Sequence, residues 1–368
     1  MSAYSNDFES LRLRGEIYVD KTHHIYRLVK NGKYYLLNRP SKFGKSLFLS
    51  TIKAYFEGKE NLFEGLAIEK YERKWLKHPV LLLDLGDKTY SSIDDLQDTL
   101  QTQLFTLENK YGIVSQSTAY GLRLMSLIDT IYTRTQSKVV ILIDNYDKPI
   151  MDTLHSIETK KEFYRILQSL YEVIKVKDAQ IEFFLMSGIS KIGDSTIFGG
   201  FNSLYDISMD NDYADICGIS EAEMHRYFDN DVYELGKTYG LKKAQCYERI
   251  AEMYGRYRFC ENSIYVHNPY YVIRSLLNKS FIDNNNLQLE STINLNKDLI
   301  DKIVQNNGIY SNCRALSDSR DLGDHPISLL YRTGILTIKD YDKEFDIFYL
   351  GFPNNKINNF SCRNNLNI

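Results

Sequence analysis

The sequence predicts an α/β fold in which a parallel sheet is covered by helices on both faces. Four apolar runs of strand length lie within the first 190 residues, and each is nearly continuous rather than alternating. Such runs are typical of parallel strands that are buried on both faces. Helical patterns separate the runs, and a glycine-containing loop follows the first of them. These three observations indicate a doubly wound α/β domain over residues 1–214.

The first predicted strand is residues 33–38, "KYYLLN", which leads directly into the loop. After the loop, "KSLFLSTIKAYFEG" carries apolar residues at helical spacing and is ended by Gly58. The clearest later helix is "TKKEFYRILQSLYEVIKVK", whose apolar residues share one face. Three more buried strands are predicted, in "PVLLLDLG" from Pro79, "KVVILID" from Lys138 and "QIEFFLMSG" from Gln180. A fifth strand, at an edge of the sheet, is predicted in "SLYDISM" near residue 206.

The character of the chain changes after residue 214. Ser220 and Glu223 have the spacing of a capping box, and they open a helical pattern. Helical patterns continue through "AQCYERIAEMYGRYRF" and "NPYYVIRSLLN" without another buried strand. A helical, lid-like domain is therefore predicted over residues 215–300.

The last part of the chain predicts a helix followed by a hairpin. The helix is in "HPISLLYRTG", and two alternating strands follow it, joined by the charged turn "KDYDKE". This is the outline of a winged-helix module, which we assign to residues 301–358. The asparagine-rich residues 359–368 are expected to fray.

Composition and charge limit the classes of partner that we expect this protein to bind. The formal net charge of -3 provides no global attraction to nucleic acid or to anionic membranes, although a local basic patch stays open. No apolar run approaches the ~20 residues that span a bilayer, so we expect a cytoplasmic protein without a membrane partner. The five cysteines form no CxxC pair and no cluster with histidine, which favours free thiols in a reducing compartment.

Residues 39–46, "RPSKFGKS", have the context of a phosphate-binding P-loop, or Walker A motif, between a strand and a helix. In such a loop, backbone N–H groups and a helix N-terminus face the β-phosphate, a lysine reaches the β and γ oxygens, and a hydroxyl holds magnesium. Gly44, Lys45 and Ser46 are predicted to fill these roles. Arg39 stands where the first glycine is usual, and Pro40 can redirect the chain instead. A helix start with an incidental lysine is the alternative.

The predicted nucleotide-binding residues are Arg39, Pro40, Ser41, Lys42, Phe43, Gly44, Lys45, Ser46 and Ser187. Arg39 and Lys42 are expected either to contact phosphate or to be solvated cations of the loop. Ser187 ends the fourth strand. It either senses the γ-phosphate or, as a small residue, lets the strand leave the sheet beside Gly188.

The strand "VVILID" ends in Asp144, where an NTPase places the Walker B carboxylate that orders magnesium through water. Asp144 and Ser46 are therefore the predicted metal residues. A separate strand lies in sequence between the loop and this strand, which is typical of the ASCE-type, or ATPase, branch of P-loop NTPases. In that branch a glutamate beside the aspartate polarises the attacking water, whereas here the neighbour is Asn145.

Asparagine cannot accept a proton at neutral pH, so Asn145 predicts weak or absent hydrolysis. Asp147 lies two residues further on. It either replaces the missing base or caps the turn at Lys148–Pro149, and the catalytic candidates are accordingly Asn145 and Asp147.

Several ordered segments together resemble the bacterial AAA-ATPase-like family, which is commonly fused to a PD-(D/E)XK nuclease-like domain. The resemblance implies ATP and Mg²⁺ as ligands. The family's loop usually reads Arg-Pro-Arg-Arg-Phe-Gly-Lys-Ser and its acid strand usually ends Asp-Glu-Tyr-Asp, so Ser41, Lys42 and Asn145 are departures. The segments are "YVDKT" at Tyr18, "RPSKFGKSL" at Arg39, "YFEGKENLFEGLAI" at Tyr55, "LIDNYDKPI" at Leu142, "SGISKIGDSTIFGGFNSLYDIS" at Ser187, "DICGISEAEM" at Asp215, "YGRYRF" at Tyr254 and "HNPYYVIRSLL" at His267.

The family usually continues past "YLGFPNNKI" into the nuclease-like domain. No carboxylate pair with Glu-x-Lys follows that segment here, so nuclease activity is not expected.

Two functions of different classes stay open. The first is an ATP-binding conformational switch with weak or absent hydrolysis, in which nucleotide sets the angle between the α/β and helical domains. The second is a non-enzymatic regulator that binds a protein or nucleic acid through the helix and hairpin of residues 326–350, where Arg332 is the helix's one cation. A small-molecule kinase fits less well because the acid strand is not the next strand after the loop.

Overall fold

The computed structural model describes residues 5–153, 156–190, 204–261, 264–282, 292, 296–317 and 326–365. Its largest sheet has five strands in the order β2-β3-β4-β1-β5, and all of their pairings are parallel. This confirms the predicted parallel sheet, including its edge strand near residue 206. The strands are β1 (Tyr34–Asn38), β2 (Val80–Asp84), β3 (Val139–Asp144), β4 (Ile181–Gly188) and β5 (Tyr205–Asp206).

Helices cover both faces of this sheet. The seven α-helices of the region are α1 (Phe8–Leu13), α2 (Thr22–Asn31), α3 (Lys45–Phe56), α4 (Ile93–Tyr111), α5 (Tyr120–Thr135), α6 (Lys148–Asp152) and α7 (Ile157–Val176). Alternate residues of each strand enter separate cores: Val140 and Leu142 of β3 pack in the core that contains α1–α3, whereas Ile141 packs in the core of α4, α5 and α7. Because both faces are buried, the strands read as continuous apolar runs.

The carboxyl ends of the parallel strands meet at one edge of the sheet. The register pairs Leu37 with Ser187 and Asp84 with Asp144. Strand β4 lies between β1 and β3, so Ser187 comes between the loop strand and the acid strand. Polar groups that are far apart in sequence are therefore gathered at this edge.

Three helices follow the α/β region and share a core of their own. They are α8 (Glu221–Thr238), α9 (Lys243–Tyr254) and α10 (Pro269–Asn278), and their core includes Met224, Val232, Ile250 and Val272. The predicted capping box is present, because Ser220 and Glu223 each bind the other's backbone N–H. A short antiparallel pair, β6 (Ile219–Ser220) with β7 (Val266–His267), was not predicted, since two residues carry no period.

The C-terminal segment alternates helices with a small antiparallel sheet of order β8-β10-β9. Its elements are α11 (Lys297–Gln305), β8 (Ile309–Asn312), α12 (Cys313–Ser317), α13 (Pro326–Arg332), β9 (Thr337–Asp342) and β10 (Ile347–Gly351). Leu330, Leu336 and Ile338 join the same core as α1–α3. This segment therefore packs directly against the α/β region.

Residues 355–365 form a helix, α14 (Asn355–Asn365), where a frayed tail is predicted from residue 359; residues 366–368 of that tail lie outside the described residues. Two contacts explain the difference. Asn354 donates from Nδ2 to the Gly255 carbonyl at 3.0 Å and accepts from the Ile357 N–H at 3.2 Å, as an N-cap does. The side chains of Ile357 and Ser361 are buried. Asparagine-rich composition thus concealed a helix that tertiary contacts stabilise.

None of the helices in the described ranges meets the length and hydrophobicity that a bilayer-spanning helix requires.

Replacement of Asn354 by alanine should lower the free energy of unfolding by about 1–2 kcal/mol, because the cap and the bond to Gly255 are lost together. Urea denaturation followed by circular dichroism measures this change. The exposed neighbour Asn355 supplies the control variant Asn355→Ala, which should stay close to the wild type. Equal midpoints for the two variants would contradict the role of Asn354.

Candidate functional site

The loop between β1 and α3 turns sharply before the helix begins. Gly44 is the N-cap of α3 and lies in the left-handed region, with φ 94°, and Lys42 also has a positive φ of 66°. Glycine adopts this conformation without the steric cost of a Cβ atom. Because α3 begins at Lys45, the helix's first unpaired N–H groups lie at the end of the loop.

Lys45 lies inside the loop and is 6% exposed. Its ammonium group donates to the carbonyls of Arg39 at 3.0 Å and Pro40 at 3.1 Å. Burial lowers the pKa of Lys45, while the charges of Asp144 and Asp147 act in the opposite direction. The loop therefore encloses the ammonium group of Lys45, which the charges of Asp144 and Asp147 stabilise.

Asp144, at the end of β3, is 3% exposed and is held by groups from three places in the chain. The Ser187 hydroxyl donates to Asp144 Oδ1, and the Asn145 N–H donates to the same oxygen at 3.0 Å. The Ser46 hydroxyl lies close enough to this carboxylate to lower its pKa. Burial raises the pKa of Asp144, and the hydrogen bonds from Ser187 and Ser46 oppose that shift. The structure thus brings Ser46, Asp144 and Ser187 together.

The Asn145 side chain turns towards β2. Its Nδ2 donates to Asp84 Oδ1 at 2.8 Å, and the Gly86 N–H donates to the same oxygen at 2.8 Å. Asn145 has a φ of 53°, and a Cβ atom at Gly86 would collide with its amide. Our sequence reasoning did not select Asp84. The available signal was that Asp84 ends the apolar run "VLLLD" just as Asp144 ends "VVILID".

Asp147 is buried and binds the chain that leaves β4. Its Oδ2 accepts from the N–H groups of Ile189 at 2.8 Å and Ser190 at 2.6 Å. Burial raises the pKa of Asp147, and these two hydrogen bonds oppose the shift. Asp147 makes no side-chain cap to α6, so the expected capping of the Lys148–Pro149 turn is wrong. Its carboxylate instead fixes the position of the segment after Ser187.

Arg39 differs from both expectations, since it neither faces the interior of the loop nor reaches solvent. The side chain is 1% exposed, and its guanidinium donates to the carbonyls of Asn38 at 2.9 Å, Ser208 at 2.6 Å and Tyr213 at 3.0 Å. It also stacks 4.6 Å from the ring centroid of Phe259. The phosphate contact of this side chain stays a prediction; its Nη1 and Nη2 groups donate to backbone carbonyls, while its buried Nε has no hydrogen-bond partner among the described residues.

The other loop side chains connect the loop to later parts of the chain. Phe43 is buried edge-on against Tyr257, with ring centroids 4.9 Å apart. The exposed Lys42 places its ammonium 4.4 Å from the ring centroid of Tyr270, at the start of α10. Pro40 is buried and lies so close to Gly334 that a Cβ atom there would be 2.9 Å away. Ser41 is partly exposed and completes the loop.

A cavity of about 360 Å³ opens beside Phe43 and Gly44. Its mostly apolar walls come from residues 15–21, from the start of α3, from residues 216–219, and from α8 and α10. Its edge includes the charged residues Glu16, Lys21 and Asp231. Because these walls are distant in sequence, no local pattern could indicate the cavity.

An ion pair and a hydrogen bond join two of the cavity's walls. Lys21 lies 2.6 Å from Glu223 of the capping box, and His24 Nε2 lies 3.0 Å from Asp215. Among the described residues, His23, His24 and Asp215 also bring potential metal-ligand atoms within 4.8 Å of one another. These contacts hold residues 15–24 against the chain that enters α8.

Comparison with known proteins is consistent with this geometry. The family described as Predicted AAA-ATPase matches residues 5–198, which is more than half of the chain and includes the loop, β3 and Ser187. A relative described as an uncharacterized protein in the vnfD 5′ region of Azotobacter chroococcum mcd 1 is 34% identical over 253 residues. That alignment covers 69% of this chain and 47% of the relative, so the chain spans about half the relative's length. The protein belongs to the predicted AAA-ATPase family.

Proposed function

We propose that the protein binds ATP with Mg²⁺ in the loop of residues 39–46 and that the nucleotide acts as a conformational switch, with slow hydrolysis. The observation that carries this proposal is the convergence of three groups. A buried lysine occupies the loop, and the hydroxyl of Ser46 meets the carboxylate of Asp144. These are the groups that P-loop proteins use for phosphate and for magnesium.

The residues present fit both the phosphates and the metal. Lys45 would exchange two carbonyl partners for β and γ phosphate oxygens, which are stronger acceptors because they are charged. Ser46 and Asp144 offer the hard oxygen ligands that Mg²⁺ prefers, and the metal would neutralise phosphate charge. Ser187 then acts through Asp144, whose carboxylate it orients. The side chain of Arg39 supports the loop from behind, so phosphate contacts come from the backbone of residues 41–46.

The cavity beside Gly44 suits the base and ribose of the nucleotide. It adjoins the phosphate loop, and its walls are mostly apolar, as small-molecule pockets usually are. Its walls come from the N-terminal segment, from α3 and from α10. A nucleotide in this position would therefore touch the α/β region and the helices that follow it.

Direct contacts between the loop and α8–α10 support this proposal. The Gly218 N–H donates to the Phe43 carbonyl at 3.1 Å, and residue 218 leads into α8. Lys42 rests on Tyr270 of α10, and Phe43 on Tyr257. We infer that bound nucleotide sets the angle between the sheet and these helices. The nucleotide would replace contacts on the loop side and on the helix side of this interface.

Slow hydrolysis follows from Asn145, since an amide at this position cannot accept the proton of the attacking water. Loss of the general base from its usual position costs up to about 10²- to 10⁴-fold in rate, and a carboxylate on another strand recovers only part of that loss. Slow turnover gives the nucleotide-bound state the lifetime that a switch needs.

A second candidate is a binding module formed by residues 297–351. Their order of helix, strand, two helices and two strands, with an antiparallel sheet, is the order of a winged-helix module, and we propose that likeness for this segment. In the described part of α13, however, Ser328, Leu329, Leu330 and Tyr331 are buried. Arg332 donates to the Leu316 carbonyl at 2.9 Å. These placements favour a protein partner over nucleic acid for this segment.

Replacement of Lys45 by alanine should weaken MgATP binding at least tenfold, because charge-assisted contacts to phosphate are lost. Isothermal titration calorimetry measures the affinity. Lys175→Ala, on the exposed surface of α7, is the matched control and should bind as the wild type does. Absence of wild-type binding at millimolar ATP would refute the proposal.

A bulky residue in the cavity should separate recognition of the base from recognition of the phosphates. Ile273 lines the cavity, so Ile273→Trp should weaken MgATP binding more than tenfold, whereas binding of magnesium tripolyphosphate should be unchanged. The exposed Asn278→Trp serves as the control on the same helix. Equal losses for ATP and tripolyphosphate would place the base elsewhere.

The second candidate is tested by gel-shift assays with duplex DNA, single-stranded DNA and RNA at low and moderate salt. We expect no retained complex, because the described α13 offers no free cation. A salt-sensitive shift that Arg332→Ala abolishes would instead favour nucleic-acid recognition through this segment.

A further inference from the structure

Asp84 places a carboxylate beside the acid strand that the sequence motifs do not account for. It ends β2 and is in register with Asp144, which ends β3. Unlike Asp144, Asp84 is only partly buried. Its Oδ1 accepts from Asn145 Nδ2 and from the Gly86 N–H, each at 2.8 Å, while no described residue donates a hydrogen bond to Oδ2. One carboxylate oxygen is therefore fixed and the other is open.

We propose that Asp84 accepts the proton of the attacking water in ATP hydrolysis and that Asn145 is the positioning residue that holds it in place. This inference rests on the MgATP site proposed above. The proton acceptor would thus be supplied by β2, the neighbouring strand, instead of by the residue after Asp144.

The conformation of Asn145 matches this arrangement. Its backbone N–H binds Asp144 at 3.0 Å while its side-chain amide binds Asp84 at 2.8 Å, so one residue joins the two carboxylates. It does so at a φ of 53°, which asparagine tolerates better than most residues. A glutamate in this position would face Asp84 with the same charge and without an N–H donor. The asparagine is therefore complementary to the aspartate.

The backbone of Asp84 is held in place as well. Gln103, on α4, accepts from the Asp84 N–H at 2.7 Å through Oε1, and its Nε2 donates to the Asp84 carbonyl. Both polar groups of the Asp84 backbone are thereby bound by one side chain. A group fixed at its backbone and at Oδ1 has little freedom left to lose when it acts on water.

The other carboxylates nearby are less suited to the role. Asp147 is buried, and its Oδ2 already accepts two backbone N–H groups. Asp87 lies on the exposed loop after β2. Burial and the charge of Asp84 raise the pKa of Asp87. Among the carboxylates in the part of the chain that the structure describes, Asp84 combines a fixed oxygen, an open oxygen and a direct link to the residue after Asp144.

The proposed step is balanced without any further reactant. The water oxygen forms a bond to the γ-phosphorus of ATP, while the bond from that phosphorus to the β,γ-bridging oxygen breaks and its electron pair leaves with ADP. Asp84 Oδ2 takes the water proton and later releases it to solvent. The products are ADP and inorganic phosphate.

The experiment compares wild type with Asp84→Asn, Asn145→Glu, the double variant Asp84→Asn/Asn145→Glu, and the control Asp87→Asn from the same loop. For each protein, calorimetry measures MgATP affinity, thermal denaturation measures folding, and single-turnover assays measure ADP formation. Asp84→Asn should keep the affinity within about threefold and slow turnover about 10²-fold or more. Asp87→Asn should match the wild type in all three measurements.

The double variant, in which the two side chains are exchanged, gives the most decisive comparison of the experiment. Asn145→Glu alone should lower the denaturation temperature and leave turnover no faster than in the wild type, because two carboxylates then face each other. The double variant restores an amide–carboxylate pair with the partners exchanged, so it should recover both the denaturation temperature and turnover to within about tenfold of the wild type. Recovery of this kind distinguishes a functional pair from two independent structural residues.

The remaining outcomes separate this inference from the proposed function. Turnover in Asp84→Asn equal to that of the wild type overturns the role of Asp84, as does a wild type that binds MgATP but forms no ADP above the level of Lys45→Ala. In both cases the nucleotide-binding proposal stands. A folded wild type that does not bind MgATP overturns the nucleotide site and, with it, this inference.

Discussion

The parallel sheet is the constraint on which the rest of the molecule depends. In a parallel sheet the carboxyl ends of all strands lie at one edge, and here the loop, Asp84, Asp144 and Ser187 all follow from that rule. The order β2-β3-β4-β1-β5 places β4 between the loop strand and the acid strand. A serine at the end of β4 can therefore hydrogen-bond the aspartate of β3. Polar chemistry is concentrated at this edge, while two apolar cores cover the faces.

The side chains and the backbone of the loop have different roles. Arg39, Pro40 and Phe43 are buried in contacts with later parts of the chain, and the carbonyls of Arg39 and Pro40 hold Lys45. The side chains thus support the loop's shape, which leaves its N–H groups and the lysine for a ligand. Lys42 connects the loop to α10 through Tyr270, and Pro40 connects it to Gly334, which lies between α13 and β9. A change in the conformation of the loop would therefore also change its packing against these segments.

The folded structure changes the interpretation of Asn145, which stands where a glutamate is usual in the family. In the sequence alone, Asn145 indicates that the usual general base for hydrolysis is missing. Beside Asp84 it is one half of a hydrogen-bonded pair that joins the ends of β2 and β3. The carboxylate of the pair stands on the neighbouring strand, β2. In the proposed reaction, proton transfer at this edge depends on the pair and not on one position of a motif.

The amino-acid sequence alone was enough to predict the five strands of the large sheet, the helix after the loop and the capping box at Ser220, because these depend on local periodicity and short-range spacing. It also pointed to Lys45, Ser46 and Asp144. Only the tertiary structure decided where Arg39 points, that the asparagine-rich tail is helical, and that Asn145 meets Asp84, 61 residues earlier. The physical reason is that burial and hydrogen-bond partners are set by contacts between distant segments, which leave no pattern in the sequence around either partner.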